Sequence, residues 1–302
     1  MVDEKKIEEI FDIFQECAVF LYDNLKMNYY DSIKLTANSI LDKDSIDLDK
    51  ELILKFKRRI NKFKEDYNVE ELRKGLTYFF LNCFREMNWV NNITPDSICY
   101  FINYLVDRWY PKRKISILDP SIGCGNLLYS ISNNRNVSAL YGIDNDDRMI
   151  ELAKIMGDFI EPIRLFYQDT LTVDLENIDL IVSDLDFNMN TYDFIIHHLD
   201  TLKEDGYMIL VMNNNFFTNI DIEKKKIIDS KGSMVGIIEL PDSFFKNDKK
   251  SIVIMRRNTN KVKNFLIAKM PEVSDSSAMK EFLNKIEYWF INGGNENENN
   301  GC

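Results

Sequence analysis

The chain has 302 residues, 45% of them hydrophobic and 12% aromatic, enough apolar material for one large domain or one domain with a smaller companion. Its formal net charge of −11 counts against duplex DNA as an unaided partner, because phosphate neutralisation supplies most of that affinity. No apolar run approaches the roughly 20 residues of a membrane span, so no membrane partner is expected, and the charged start Met1-Val-Asp-Glu-Lys-Lys fits a cytoplasmic chain.

Residues 4–25 read as an amphipathic helix, with Ile7, Ile10, Phe11, Phe14, Ala18 and Leu21 at helical spacing. Further helices are predicted over Tyr29–Leu41, 48–66 and 69–88, so residues 1–90 form an all-helical N-terminal domain. The helix over 48–66 has a basic face (Lys55, Lys57, Arg58, Arg59, Lys62, Lys64), which reads first as a solvated surface and second as a nucleic-acid contact. Thr94 suits the N-cap and Pro95 the first turn of a helix running to about Trp109. From there strands and helices alternate. Strands are predicted at Ile115–Leu118, Ala139–Ile143, Ile163–Tyr167, Leu180–Ser183 and Tyr207–Met212. Met234–Leu240 and Ser251–Arg256 pair as a hairpin, and Phe265–Lys269 is a candidate further strand. Helices fall near 126–132, 146–158, 192–203, 221–229 and 276–291. The pattern predicts a doubly wound, mostly parallel sheet over 91–291, with a disordered Gly/Asn/Glu-rich tail over 292–302.

The stretch Ile115-Ser-Ile-Leu-Asp-Pro-Ser-Ile-Gly-Cys-Gly-Asn126 is a strand, a glycine turn and a helix start in that order. In a parallel α/β sheet this is a cofactor site, and ligands lie at the carboxyl ends of the strands. Four predicted strand ends carry Asp119, Asp144, Asp169 and Asp184. Asp144 stands where an acid can accept from both ribose hydroxyls, while Gly123 and Gly125 let the backbone approach a ligand. NAD would need a third glycine where Leu128 stands. Asp119-Pro120 would place a carboxylate near a pyrophosphate, which favours a ligand with a cationic centre such as S-adenosylmethionine. A glycine turn with no ligand is the plain alternative.

Asp119-Pro-Ser-Ile-Gly-Cys-Gly-Asn-Leu-Leu128 resembles the DPxxGxGNLL motif of class I methyltransferases of the adenine amino-methylating type. Ile93-Thr-Pro95 resembles that family's Thr-Pro motif, which closes over the methionine end of the cofactor. Tyr141-Gly-Ile-Asp-Asn-Asp146 resembles its second acidic motif, and Gln168-Asp-Thr-Leu171 its adenine-contacting third. Leu202-Lys-Glu-Asp-Gly-Tyr207 and Leu240-Pro-Asp-Ser-Phe-Phe245 resemble two later segments, and a helical N-terminus before this block is similar to the YtxK-like group. The resemblance implies a Rossmann-like fold with a seven-stranded sheet. It also implies S-adenosylmethionine held by Thr94, Pro95, Asp119, Pro120, Gly123, Gly125, Asn126, Asp144, Asn145, Asp169 and Thr170, and nucleic acid as the substrate class.

The family's catalytic motif is (Asn/Asp/Ser)-Pro-Pro-(Tyr/Phe), whose first side chain and a proline carbonyl accept from the target amine while the aromatic stacks on the base. Here the segment reads Asp184-Leu-Asp-Phe187. By resemblance Asp184 is the acceptor and Phe187 the stacking ring, but both prolines are replaced. Asp186 adds freedom and a second negative charge. Two readings stay open: a working but altered methyl-transfer site, or a binding module that keeps the fold without the chemistry. Phe244 and Phe245 read as core residues before they read as stacking rings. Five dispersed cysteines without a CxxC pair suit reduced thiols, and the adjacent His197 and His198 suit one buried and one exposed helix position, so no metal is expected. No separate reader of base edges is expected after Arg256, so any such recognition falls to the N-terminal helices, which also offer a face for a partner protein or a second copy.

Overall fold

The computed structural model describes residues 2–294 other than 42–45, 47, 65, 90–92, 134, 187–188, 246–248, 259–261 and 263. Among the described residues five helices open the chain: α1 (Glu4–Leu25), α2 (Tyr29–Ile40), α3 (Lys50–Ile60), α4 (Val69–Glu86) and α5 (Asp96–Trp109). Their starts are set by short polar side chains. Asp3, Asn28 and Asp49 each accept a first-turn N–H, and Asn68 forms a reciprocal capping box with Glu71. The helix expected over 48–66 is shorter, since Asp49 caps its start and the chain turns at Asn61. The predicted cap of α5 is corrected: Pro95 holds the N-cap position and the Thr94 side chain goes elsewhere.

The α1 and α4 helices cross closely. A Cβ on Gly75 would lie 2.6 Å from Cγ2 of Ile10, so the glycine is what permits the approach. Phe14 meets Phe79 on α4 at 5.3 Å between ring centroids. The basic face of α3 leans on acids of α1, with Lys62 Nζ 2.6 Å from Glu16 and Lys64 Nζ 2.8 Å from Glu9. These pairs are half-exposed and contribute little stability, but they occupy part of the charge that a nucleic acid would need.

The remainder alternates as β1 (Ile115–Asp119), α6 (Asn126–Ser132), β2 (Val137–Asp144), α7 (Asp147–Phe159), β3 (Arg164–Tyr167), β4 (Ile178–Asp184), α8 (Thr191–Thr201) and β5 (Leu202–Asn213). Then come a short α9 (Asn215–Thr218), α10 (Ile222–Lys231), β6 (Ser233–Glu239), β7 (Lys250–Arg256), β8 (Leu266–Lys269) and α11 (Ser276–Trp289). The strands form one sheet in the order β3-β2-β1-β4-β5-β7-β6-β8. Pairing is parallel from β3 through β5, β7 is antiparallel to both β5 and β6, and β6 pairs with β8 in parallel. The sheet therefore has eight strands rather than seven, the candidate strand at Phe265–Lys269 supplying the eighth. The predicted tail begins as an ordered turn over Phe290–Gly294 and beyond that lies outside the described residues.

Strands β1 and β4 are buried almost throughout, as expected of central strands covered on both faces. One apolar cluster lies under α8 and α10. The larger one runs from Ile10 and Phe14 of the helical cap through α5, α6 and α7 to Trp289, so cap and sheet share it. The order of strands reverses at β1, where β2 and β4 lie on its two sides, and that switch point is where such sheets bind ligands.

Candidate functional site

At the carboxyl end of β1 the chain turns through Gly123 (φ +53°) and Gly125 (φ +89°) into α6. Gly125 is fixed twice over: its backbone is left-handed, and a Cβ there would strike the Tyr129 ring at 2.8 Å. The Asp144 carboxylate, at the end of β2, receives the Gly123 N–H at 2.9 Å on one oxygen and the Asp146 N–H at 2.9 Å on the other. It thus holds the glycine turn against β2. Burial raises its pKa above the ordinary carboxylate value, against the pull of those two N–H groups.

A cavity of about 330 Å³ opens over these strand ends, at the small end of the usual range for small-molecule sites. Pro120, Asp144, Asn145, Asp169 and Thr170, all expected cofactor residues, line it together with Ser121, Gln168, Leu171, Asp186, Met189, Asn190 and Phe194. Among the described lining residues three are carboxylates and none is basic. That electrostatic character suits a ligand with a cationic centre and disfavours a pyrophosphate. Asp186, which takes a proline's place in the catalytic motif, thus faces this cavity, while Leu185 beside it is buried in the core. Thr170 is held from behind by His198, whose Nε2 lies 2.9 Å from its hydroxyl. Burial, and the neighbouring His197, push the His198 pKa down to about 3, so the imidazole is neutral. His197 is half-buried rather than exposed, with Nε2 3.1 Å from the Val173 carbonyl.

Asp119, Gly123, Gly125, Asn126, Thr94 and Pro95 are not among the residues that line the cavity. Asp119 is 1% exposed and accepts from the Ser183 hydroxyl at 2.8 Å and the Ser121 N–H at 3.1 Å. Burial pushes its pKa up to about 7.

Asn126 anchors a second polar group. Its Oδ1 accepts from the Thr77 hydroxyl at 2.8 Å and from the Arg73 guanidinium, and its Nδ2 donates to the Thr94 carbonyl at 2.9 Å. Arg73 is wholly buried between Glu70, at 2.5 Å, and Asp96, at 3.0 Å. The Thr94 hydroxyl in turn donates to Asp184 Oδ2 at 3.0 Å. A continuous polar chain therefore joins α4 of the cap to the candidate catalytic carboxylate.

Asp184 is engaged on its other oxygen as well. Lys250, the first residue of β7, places Nζ 2.6 Å from Oδ1 and 3.1 Å from the Leu185 carbonyl, with its side chain 5% exposed. Burial raises the Asp184 pKa, and Lys250 and Thr94 oppose that rise. Phe187 falls outside the described residues. Phe244 and Phe245 pack half-buried against the larger core cluster, and the Phe245 ring lies 4.9 Å from Lys250 Nζ.

Arg73 and Lys250 were missed by sequence reading. Each sits in a stretch where charged residues are ordinary: Arg73 on an amphipathic helix, Lys250 after another lysine at a strand start. The one available signal was that Lys250 opens a run, Ser251-Ile-Val-Ile-Met, whose neighbours are all core-like. Cys17, Cys83, Cys99 and Cys124 are buried thiols, each with its pKa raised by burial, which makes them inert. Among the described residues no cluster of acids, histidines and cysteines has the geometry to hold a metal, and no helix is long and apolar enough to cross a membrane.

No protein-family profile matches the chain. It is 25% identical to the uncharacterized protein YtxK of Bacillus subtilis, over 93% of this chain and 96% of that one. Among solved structures it is similar to a Listeria monocytogenes protein provisionally assigned to the class I S-adenosylmethionine-dependent methyltransferases. That likeness has 26% identity and a TM-score of 0.82, over 95% of this chain and all of the other. The methyltransferase subunit of a type I restriction-modification system from Streptococcus thermophilus shares the fold at 14% identity and a TM-score of 0.63, over 91% of this chain and 74% of that one. By its fold this protein resembles the class I S-adenosylmethionine-dependent methyltransferases, and its likeness to the Listeria protein and to YtxK runs nearly the whole length of each chain.

Proposed function

We propose that the chain binds S-adenosylmethionine in the acid-lined cavity over β1, β2 and β4 and is an N-methyltransferase of the amino-methylating class. The observation that carries this is the cavity itself: three carboxylates and no described basic residue at the switch point of a methyltransferase-like sheet. The cofactor, when bound, supplies an electrophilic methyl on a sulfonium. Asp144 and Asn145 would hold the ribose, and Asp169 and Thr170 the adenine, with Thr170 kept in place by His198. Thr94-Pro95 would cover the methionine end, and Asp119, Gly123, Gly125 and Asn126 would keep the turn in shape. Asp184 would accept from the target amine and Phe187 would stack on its ring. The chain's own contribution would be positioning rather than proton transfer. Nucleic acid as the substrate class rests on resemblance and on the restriction-modification neighbours.

A second reading, cofactor binding without transfer, is favoured by the Lys250 ammonium on Asp184. Titration calorimetry separates the parts. S-adenosylmethionine is expected to bind, NAD to fail at about 1 mM, and Asp144→Ala to weaken the cofactor at least about tenfold. No heat with S-adenosylmethionine at that concentration would overturn the cofactor assignment. Transfer of labelled methyl to single- and double-stranded DNA, RNA or protein, lost in Asp184→Ala, would favour the first reading over the second.

A further inference from the structure

An amine approaching the Asp184 segment needs two acceptors, the Asp184 carboxylate and the carbonyl of the next residue. In the motif that this segment resembles, these are the two groups that receive the target amino group, and Leu185 stands where the first proline would be. Here one nitrogen takes both. Lys250 Nζ lies 2.6 Å from Asp184 Oδ1 and 3.1 Å from the Leu185 carbonyl, and the face of Phe245 lies 4.9 Å away. A lysine at a strand start ordinarily extends its ammonium into water. Burying it is costly unless every donor is met. The two oxygens accept from it and the ring face lies within cation–π distance, which offsets the cost of its burial.

We infer that Lys250 is an internal occupant of the amine-acceptor position, a primary ammonium held where the amino group of a substrate would sit, and that an outside amine enters only when Lys250 withdraws. This rests on the reading of Asp184 as an amine acceptor. An ammonium has no free lone pair, so the occupant is itself inert toward alkylation. It also excludes an aromatic amine, because its nitrogen occupies the space from which both oxygens could be reached at once.

The test uses the full chain and 9-ethyladenine, a neutral aromatic amine, with binding followed by ligand-observed NMR. Lys250→Met is expected to bind it at least about tenfold more tightly than the wild type. That variant leaves a buried, unpaired carboxylate and can fail to fold, so the double variant Asp184→Asn with Lys250→Met is the second arm. It keeps an acceptor oxygen, removes both charges and is expected to show the same gain. Asp184→Leu with Lys250→Met lacks the acceptor and is expected to show none. Equal binding by the wild type and the Asn/Met variant would overturn the inference. So would a gain that persists in the Leu/Met variant, since the amine would then sit elsewhere. S-adenosylmethionine binding is measured separately on the wild type. Its absence would overturn the cofactor assignment, while the three-variant comparison would still decide the occupancy.

Discussion

Asp119 shows how much a single buried carboxyl can govern. Its pKa is pushed up to about 7 by burial, from 3.8 in the free side chain. Between those values the folded protein keeps a proton that the unfolded chain has released, so stability falls as pH rises from about 4 to about 7 and is level above. The slope is up to about 1.4 kcal/mol per pH unit. Asp119→Asn should remove that component. Urea midpoints of the two proteins across the window should diverge as pH rises, with the wild type losing ground; parallel curves would contradict it. The β1 turn itself was legible because glycine and proline punctuate a strand-to-helix turn in few ways. The state of Asp119 was not, because sequence does not say which way a strand-end side chain turns. It lies under the loop, tied to Ser183, and not in the cavity. Lys250 was illegible for a related reason: its partner lies 66 residues away, and nothing local distinguishes a buried lysine from a solvated one.

At the scale of elements, the periodic patterns located most helices and strands. Apolar side chains must face one way on each element, and that requirement writes itself into spacing. What lacked a pattern was missed. The four-residue α9 has no buried residue to give it a stripe. The start of β5 reaches back through Leu202–Gly206, which reads as a turn, because Leu202 pairs with Ile178 of β4. The seating of α1 on α4 is likewise set by one residue. Gly75→Ala would bring a Cβ to 2.6 and 2.8 Å from two carbons of Ile10, and both belong to a branched side chain at its stiff end. Alanine's better helix propensity offsets about 1 kcal/mol, while overpacking costs about 1–3 kcal/mol. A net loss of stability is expected, read as a lower midpoint in thermal unfolding, and a midpoint at or above the wild type would show that α1 can yield.

For the molecule as a whole, the division at residue 90 is better regarded as a cap joined to a sheet than as two separate bodies, a proposal that unfolding can test. The larger core is common to both, and Phe14 of α1 reaches Phe159 of α7 at 5.4 Å between centroids. The buried Arg73 binds them again through Asn126. Arg73→Met would leave the buried Glu70 without its ion-pair partner, a loss of about 3–5 kcal/mol for a broken buried pair. Chemical denaturation should show a lower midpoint and still a single transition; two separated transitions would mean that cap and sheet unfold independently. The doubly wound sheet was legible from alternation alone. Its late strands have a consequence that alternation does not reveal. Parallel strands deliver their last residues to the ligand-bearing edge, whereas β7 runs the opposite way and delivers its first. Lys250 reaches Asp184 for that reason. On the proposed reading of Asp184, the hairpin is a second wall of the site, encoded far from the glycine turn, and substitutions there would admit or bar a guest while every residue of the cofactor motifs stays unchanged.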